Sequence, residues 1–521
     1  MNTAEQTRRE FLKFMGLGMA SLAAPQLPFF SKKSLKRPNV LVIHVDQHRI
    51  DCLGTYGCRS IKTPHIDSLA DDGVRYVNSF CPYPVCTPSR YSLLCGQYVQ
   101  EHCGWSNNST LAPDIATFPR IMRAAGYRRT KAVGKMHFMP TYLDVGFDEL
   151  VLSEQNGAGR WDDDYHRYLM DRGLVDWNDL EDQLRDYRSK ARPEYWETFG
   201  ALVSNLPEEH HATTWIGDRA METLQLWDSG GGQLLMIGFI KPHHPFDPPA
   251  PWHEMYDPKQ IDILPGWTED NLDHDLEFNK GYFDNSKLSL PAVRLATAYY
   301  FATISQIDHH VGRMINLLKQ KGLYEDTLIV FTSDHGEYLG FHHMLLKSNY
   351  LYDPLAKVPL IIKWPGNKRA GSVSQQMVSN IDIAPTLCRA AGILPGKRMH
   401  GNDLQRESVG HEIIFSESRN QVMARSRTRK LILTSTSKNL YFDLENDPLE
   451  MNNIYEEPQY RDERSQMEKI LDEWRFKEKI EPYRDENAPQ INQPNVPSRD
   501  FSHRPEIIQY YREKMKVLQG G

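Results

Sequence analysis

The sequence predicts an α/β protein with a large, mixed, mostly parallel β-sheet flanked by helices, followed by a smaller C-terminal α+β subdomain on an antiparallel sheet. Short and nearly continuous apolar runs at residues 39–47, 234–240 and 327–333 are typical of strands buried on both faces, as in parallel sheets. Each run ends in polar residues, at the sheet edge where α/β proteins place their binding sites. Beyond about residue 410, three short strand-like runs indicate a separate small sheet.

Length and composition agree with this organisation. The chain has 521 residues, of which 40% are apolar and 25% are charged, as in ordinary soluble globular proteins. This length fits one large domain, residues 38–405, and a C-terminal subdomain with a helical tail, residues 406–521. The formal net charge is −7. Because there is no basic surplus, we expect no nucleic-acid partner.

Residues 1–37 have the features of an export signal. Arg8 and Arg9 precede a short apolar stretch at residues 14–24, and Pro25 ends it. This order is typical of a twin-arginine signal peptide, and the stretch is too short to span a bilayer stably. We therefore expect a signal peptide and linker, export by the twin-arginine translocase, and a periplasmic or secreted protein. An amphipathic N-terminal helix is the alternative.

The first predicted strand ends in Asp46 and Gln47. A carboxylate and an amide carbonyl are hard oxygen ligands that suit Ca²⁺ or Mg²⁺. The alternative is a strand-end aspartate that caps the following turn. The third apolar run ends similarly, in Asp334 and His335. Since parallel strands end at one edge of a sheet, the two pairs are candidates for a shared site.

Cys86 opens a predicted helix after a predicted strand at residues 74–80. Backbone N–H groups and the helix dipole favour an anion at such a turn, and Arg90, one turn later, can point to the same place. The alternative is a buried structural thiol, a common role for a free cysteine. The stretch reads Cys86-Thr87-Pro88-Ser89-Arg90-Tyr91-Ser92-Leu93-Leu94-Cys95-Gly96.

This stretch resembles the sulfatase signature, Cys-x-Pro-Ser-Arg-x-x-x-Leu-[Cys/Thr]-Gly, and matches every fixed position. The chain resembles the formylglycine-dependent sulfatases of the cysteine type (type I), in the alkaline phosphatase superfamily, from residue 38 to about residue 455. The resemblance implies an alkaline-phosphatase-like fold. It also implies that a formylglycine-generating enzyme oxidises Cys86 to formylglycine (3-oxoalanine), whose hydrate is the nucleophile.

The resemblance further implies a metal site and assigns its ligands. These ligands are Asp46, Gln47, Cys86 in its modified form, Asp334 and His335. Asp334 would also deprotonate the nucleophile. Oxygen ligands favour Ca²⁺, with Mg²⁺ or Mn²⁺ as alternatives, and His335 could favour a transition metal.

Further residues are assigned by their place in family motifs. The Gly-Lys-x-His motif supplies Lys135 and His137, and a Pro-His-x-Pro element supplies His243, preferred to its neighbour His244 on motif spacing. Arg90, Lys135 and Lys347 would hold the sulfate, His243 or Lys347 would protonate the leaving group, and His137 would assist breakdown of the covalent intermediate. The family's Leu-Gly-Asp-His pattern is broken by Phe341, which leaves the role of His342 open.

Residues 150–230 are predicted to form an insertion near the site mouth. Trp161, Trp177 and the residues 162–166 could hold a polar substrate there, although a solvated acidic loop is an equal alternative for residues 162–164. The last predicted helix, residues 505–518, is amphipathic and could pack on the body of the protein or on a partner chain.

The sequence thus predicts an exported sulfatase that hydrolyses sulfate esters, with a sulfated carbohydrate as substrate and a role in polysaccharide degradation. A phosphonate monoester or phosphodiester hydrolase is one alternative, because relatives of that kind share the Asp-Gln and Asp-His pairs and the cysteine motif. A non-catalytic sulfoglycan-binding protein with an unconverted Cys86 is another. The complete set of metal ligands argues against the second alternative.

Overall fold

The structure, a computed structural model, describes residues 37–155, 157–278, 283–347, 349–477 and 504–519. These residues belong to one compact unit that begins at Arg37. Apart from Arg37, the predicted signal peptide and linker lie outside the described residues, and the boundary between residues 405 and 406 stays a prediction. Within the described ranges, no helix has the length and apolar character needed to cross a bilayer.

A large sheet carries the core of the protein. Its strands in the described residues are β1 (Asn39–Asp46), β2 (Val74–Phe80), β3 (Arg128–Gly134), β4 (Glu149–Leu152), β5 (Gln233–Pro242), β6 (Thr327–Ser333), β7 (Leu360–Lys363) and β8 (Ser372–Ser379). They lie in the order β4-β3-β5-β1-β6-β7-β2-β8. Only β7 runs antiparallel to its neighbours among these strands. The predicted mixed, mostly parallel sheet is therefore confirmed.

Helices connect and cover the strands. The α-helices of the described residues are α1 (Pro64–Asp71), α2 (Cys86–Cys95), α3 (Val99–His102), α4 (Phe118–Ala124), α5 (Asp164–Met170), α6 (Trp177–Gln183), α7 (Arg185–Arg188), α8 (Pro193–Glu197), α9 (Ala212–Gln225), α10 (Asp273–Phe278), α11 (Leu290–Gln320), α12 (Asp353–Ala356), α13 (Ile383–Ala390), α14 (Arg461–Lys477) and α15 (Arg504–Leu518). The longest, α11, begins with Leu290-Pro291, and a proline is well tolerated in the first turn of a helix.

Strand β1 divides its side chains between two hydrophobic cores. Leu41, Ile43 and Val45 enter one core, and Val40 and Val42 enter the other, because successive residues of a strand point to opposite faces. Helices α9 and α11 cover the first face, and α2, α4 and α13 cover the second. Every residue of β1 is buried, which explains its nearly continuous apolar sequence.

A second sheet follows the large one. Its strands in the described residues are β9 (Ile414–Ser418), β10 (Gln421–Arg425), β11 (Arg429–Thr434) and β12 (Leu440–Asp443), antiparallel and in the order β12-β11-β10-β9. One face packs on Met467 and Leu471 of α14. The other face packs on Phe80 and Tyr352 of the large domain. The predicted smaller antiparallel sheet is confirmed.

Some elements differ from the sequence expectation. Strands β4, β8 and β10 have no counterpart among the predicted strands, because β4 and β10 have only four and five residues and β8 is an edge strand with mostly polar side chains. Apolar residues at helical spacing predict a long helix at residues 296–319, but α11 begins six residues earlier, at Leu290. Residues 250–290 are rich in Pro, Asp and Asn, which predicts a loop, but they contain the short helix α10.

Asp162 and Asp163 of the insertion are buried and Asp164 is half-buried, so the solvated-loop alternative for residues 162–164 is wrong. The side chains of Asp162 and Asp163 are 4% and 0% exposed. Asp163 accepts hydrogen bonds from the backbone N–H of Glu154 and from the ring of His166, and Asp164 accepts one from the hydroxyl of Tyr142. These contacts stabilise the insertion. That Trp161, Trp177 and residues 162–166 hold a polar substrate stays a prediction.

The last helix packs on this insertion. Ile507, Tyr511 and Met515 of α15 are buried against Val175 and Leu180. The Tyr511 hydroxyl donates to the backbone oxygen of His166 at 2.9 Å, and Arg504 forms an ion pair with Asp162. Helix α15 therefore contacts the insertion of the large domain, which is the body of the protein.

Replacing Ile507 with alanine should lower the free energy of unfolding by about 2–5 kcal/mol, because it removes a fully buried side chain. Val517→Ala is the matched control on the same helix, since Val517 is 78% exposed. Urea unfolding of both variants measures the effect. Equal stability of the two variants would contradict the packing of α15 on the insertion.

Candidate active site

The carboxyl ends of four adjacent strands bring polar residues to one edge of the large sheet. Asp46 ends β1, Asp334 follows β6, Lys135 follows β3 and His243 follows β5. Because β1 and β6 pair in register, the two aspartates lie side by side. All four side chains are buried. The structure therefore brings the predicted strand-end residues together.

Cys86 is the first residue of α2 and points into this group. Its Sγ lies 3.4 Å from His335 Nε2, 3.5 Å from Lys347 Nζ and 3.6 Å from Asp46 Oδ1. The helix is held in place by Ser89, whose hydroxyl donates to the backbone oxygen of Asp334 at 2.6 Å. All ten residues of α2 are buried, so the position of Cys86 is fixed by packing on every side.

Arg90 bridges the two aspartates. Its Nε donates to Asp334 Oδ2 and its Nη2 donates to Asp46 Oδ2, both at 2.9 Å. Its Nη1 donates to the backbone oxygen of Lys135 at 2.6 Å. The planar guanidinium suits such a two-sided contact. The Nε and Nη2 contacts place the positive charge of Arg90 between the two carboxylates, which share it as their counter-charge.

The two carboxylates are ionised despite their burial. Burial raises the pKa of Asp46, but the nearby charges of Lys135 and Arg90 hold that pKa well below its ordinary value. Burial and Asp46 raise the pKa of Asp334, but His335 and Arg90 lower it below its ordinary value. Ionised carboxylates are the form in which these groups bind a cation.

The donor atoms fit a divalent cation. Asp46, Cys86, Asp334 and His335 each offer one ligand atom, and these atoms all lie within 4.8 Å of one another. His335 Nδ1 lies 2.9 Å from the backbone oxygen of Gly336, so in the neutral ring, the form that binds a metal, Nδ1 donates and Nε2 is the acceptor that faces the group. Carboxylate oxygens favour a hard cation.

Gln47 completes the ligand group. Its Oε1 accepts from Lys347 Nζ at 2.9 Å, so the amide oxygen faces the ligand atoms. Its backbone N–H donates to Asp334 Oδ1 at 3.0 Å, which ties the end of β1 to the residue after β6. Five predicted metal ligands are therefore neighbours in the structure: Asp46, Gln47, Cys86, Asp334 and His335.

Lys347 lies at the centre of the cationic side of the site. Its Nζ is 3.0 Å from His243 Nε2, 3.1 Å from His335 Nε2 and 3.5 Å from Cys86 Sγ. Burial and the charges of Lys347 and Lys135 hold the pKa of His243 well below its ordinary value. His243 is therefore neutral, and its Nε2 accepts a hydrogen bond from Lys347.

Lys135 is fully buried beside Asp46. Its Nζ is 2.8 Å from Asp46 Oδ2 and donates to Gln155 Oε1 at 3.1 Å. Burial lowers the pKa of Lys135, but the charges of Asp46 and Cys86 raise it above its ordinary value. The lysine is therefore charged. Its hydrogen bond to Gln155 connects the insertion to the site.

The backbone of His137 contacts the start of helix α2 and the insertion. Its carbonyl oxygen accepts from the Thr87 hydroxyl at 2.8 Å, and its N–H donates to Glu154 Oε1 at 2.9 Å. Its φ angle is 56°, an unusual value for a residue with a side chain. In the part of the chain that the structure describes, the buried Nδ1 of His137 has no hydrogen-bond partner.

Two further histidines, His244 and His342, make their contacts away from Lys347. His244 stacks on His243, and its Nδ1 lies 2.5 Å from Asp182 Oδ2 of the insertion. His342 Nε2 lies 2.8 Å from the backbone oxygen of Leu449. His243 is therefore the histidine that contacts Lys347, and His342 faces the C-terminal region.

Two residues of the site were missed by the sequence analysis. Gln155 contacts Lys135, and Glu337 accepts a hydrogen bond from Gln47 Nε2. Glu337 could have been found, because a charged residue two positions after a strand-end pair is a candidate for the same site. Gln155 has no such signal in the sequence, since it follows the short strand β4 and belongs to no motif.

Comparisons with known proteins agree with this geometry. A family model described as Sulfatase matches residues 38–393. The arylsulfatase of Clostridium perfringens is 28% identical over 476 residues, which cover 84% of this chain and 94% of that protein. The N-acetylglucosamine-6-O-sulfatase of Bacteroides thetaiotaomicron is 26% identical over 519 residues, which cover 89% of this chain and 89% of that protein.

A solved structure shares the fold. The phosphonate monoester hydrolase of Agrobacterium radiobacter is similar with a TM-score of 0.70 and 24% sequence identity. The match covers 85% of this chain and 96% of that one. The large sheet and the small antiparallel sheet thus belong to an alkaline-phosphatase-like fold.

Replacing Arg90 with alanine should lower the free energy of unfolding by about 3–5 kcal/mol in metal-free protein, because two buried carboxylates lose their shared counter-charge. Added Ca²⁺ should recover part of this loss. The control is Arg313→Ala, which breaks a surface ion pair with Asp218 and should cost about 1 kcal/mol or less. A similar urea midpoint for both variants would contradict the bridging role of Arg90.

Proposed function

This chain belongs to the sulfatase family and is a sulfuric ester hydrolase, and we propose that it hydrolyses sulfate esters of a carbohydrate outside the cytoplasm. We further propose that residue 86 is converted to formylglycine and that a divalent cation binds beside it. One observation carries the proposal: the side chain of Cys86 contacts Asp46, His335 and Lys347 at once. A structural thiol has no need of both carboxylate and cationic neighbours.

The resemblance of the Cys86 stretch to the sulfatase signature implies a formylglycine at residue 86 and a divalent metal beside it. In this chain the residues that would hold the metal are Asp46, Gln47, residue 86, Asp334 and His335. Bound there, the cation would draw charge from the sulfuryl oxygens, and formylglycine, when hydrated, would supply a hydroxyl nucleophile. Ca²⁺ suits the oxygen donors best, while Mg²⁺ and Mn²⁺ remain alternatives.

The cations of the site have separate tasks in this proposal. Arg90 keeps Asp46 and Asp334 together and ionised, and its contact with the sulfate stays a prediction. Lys347 lies 3.5 Å from the side chain of residue 86 and Lys135 lies beside Asp46, so both can attract the sulfuryl oxygens. This attraction is electrostatic, and burial, which is complete for Lys135, strengthens it.

Proton transfer to the leaving oxygen falls to Lys347 and His243. Their nitrogen atoms are 3.0 Å apart, and Lys347 Nζ is 3.5 Å from the side chain of residue 86. Lys347 is the group that can donate a proton to the leaving oxygen, and neutral His243 orients it by accepting its hydrogen bond. Asp334, held ionised, is the base that takes the proton of the attacking hydroxyl.

A carbohydrate substrate and export are supported by separate observations. One relative, 26% identical, is named for its action on an N-acetylglucosamine 6-O-sulfate. The paired arginines Arg8 and Arg9 before an apolar stretch support export by the twin-arginine translocase to the periplasm or beyond. A formylglycine-generating enzyme would act on Cys86 before the folded protein crosses the membrane. Together these features favour a role in polysaccharide degradation.

A phosphonate monoester hydrolase is the second candidate. The Asp46-Gln47 and Asp334-His335 pairs do not distinguish sulfur from phosphorus, and the fold is shared with such an enzyme. Sulfate monoesters and phosphonate monoesters both carry one negative charge, so the cationic site suits both. The non-catalytic sulfoglycan-binding alternative requires that Cys86 stay unmodified.

Replacing Cys86 with alanine should reduce hydrolysis of 4-nitrophenyl sulfate by about 10³-fold or more, because the nucleophile is lost. Cys103→Ala is the control, since Cys103 is exposed. Mass spectrometry of the wild-type peptide that contains residue 86 should show formylglycine. An unmodified cysteine, or full activity of the Cys86→Ala variant, would contradict the proposal.

The wild-type enzyme should have a higher kcat/KM for 4-nitrophenyl sulfate than for a 4-nitrophenyl phosphonate monoester. The measurement compares both substrates in one buffer with saturating Ca²⁺. The control is the Cys86→Ala variant, which should lose turnover of both substrates. Preference for the phosphonate would favour the second candidate.

A further inference from the structure

Glu337 is a fully buried carboxylate that the proposed mechanism does not use. It lies two residues after His335, in the segment that follows β6. Its Oε1 accepts from the backbone N–H of Leu339 at 3.0 Å and from the backbone N–H of Leu346. Its Oε2 accepts from Gln47 Nε2. Both oxygens therefore face N–H donors.

The contacts of Glu337 decide which way the amide of Gln47 points. The two ends of an amide have nearly the same shape, so the orientation is chosen by hydrogen-bond partners. Glu337 offers an acceptor on one side of Gln47, and the Lys347 ammonium offers a donor at 2.9 Å on the other. The NH₂ group must face Glu337 and the oxygen must face the ligand group.

We propose that Glu337 is a positioning residue that fixes the oxygen of Gln47 as a ligand for the divalent cation. This inference rests on the proposed metal site. Gln47 can bind a cation only through Oε1, because its NH₂ group has no lone pair to offer. Glu337 also holds the backbone at Leu346, next to Lys347. The buried side chain of Glu337 thus orients the metal ligand Gln47 and also fixes the backbone next to Lys347.

The variant Glu337→Gln keeps the size and shape of the side chain at position 337 but changes its hydrogen bonds, so it tests the orientation of the Gln47 amide. The N–H groups of Leu339 and Leu346 can only donate, so they will hold the oxygen of the new amide. Its NH₂ group then faces Gln47, whose own amide must turn over to accept. This rotation places the NH₂ group of Gln47 against Lys347 and the cation. Loss of such a supporting contact is expected to weaken metal binding by about 10–100-fold.

The double variant Gln47→Glu/Glu337→Gln should restore binding. A carboxylate at position 47 has two acceptor oxygens, so one can accept from the NH₂ group at position 337 while the other faces Lys347 and the cation. If Glu337 had only a structural role, the change of its partner Gln47 would not restore metal binding. Glu450→Gln is the matched control, because Glu450 is equally buried but contacts Lys430 and Asp353.

Calorimetric titration of Ca²⁺ into metal-free protein tests the inference, with equal conversion of residue 86 checked in each preparation. We expect weaker binding for Glu337→Gln, wild-type binding for Glu450→Gln, and recovery in the double variant. Wild-type affinity in Glu337→Gln, or no recovery in the double variant, would overturn the role of Glu337 alone. A wild-type protein that binds none of Ca²⁺, Mg²⁺ and Mn²⁺ would overturn the metal site, and this inference with it.

Discussion

The Arg90 guanidinium between Asp46 and Asp334 is the interaction on which the site depends. Two carboxylates buried side by side repel each other, and neither can be solvated by water. Arg90 supplies the counter-charge from a helix that also begins with Cys86, so the same helix fixes Cys86 and the carboxylates that face it. The chain itself thereby supplies a counter-charge that holds the two carboxylates together.

Charge balance links this arrangement to the chemistry. Three cations, Arg90, Lys135 and Lys347, surround two carboxylates, and a bound divalent cation would add to the positive excess. Such a site attracts a monoanionic ester and stabilises the additional charge that forms on the leaving oxygen. Sulfate and phosphonate monoesters have the same charge. This explains physically why one fold serves both classes of ester.

Much of the fold and the site could be predicted from sequence, because both follow from local patterns. Buried parallel strands are continuous apolar runs, and their carboxyl ends meet at one edge, so Asp46 and Asp334 could be placed together. Contacts between distant side chains could not be predicted. Asp162 reads as part of a solvated loop, but its partner is Arg504, and the link from Gln155 to Lys135 depends on how the insertion packs.

The most direct test of the account is the anomalous diffraction signal of Mn²⁺ in crystals of the purified enzyme. We expect one ordered peak bounded by the side chains of Asp46, Gln47, Asp334, His335 and residue 86, with Arg90 still bridging the two aspartates. Electron density for formylglycine at residue 86 would show that the metal and the nucleophile share one site. An Mn²⁺ peak elsewhere, or no peak in this group at saturating metal, would contradict the account.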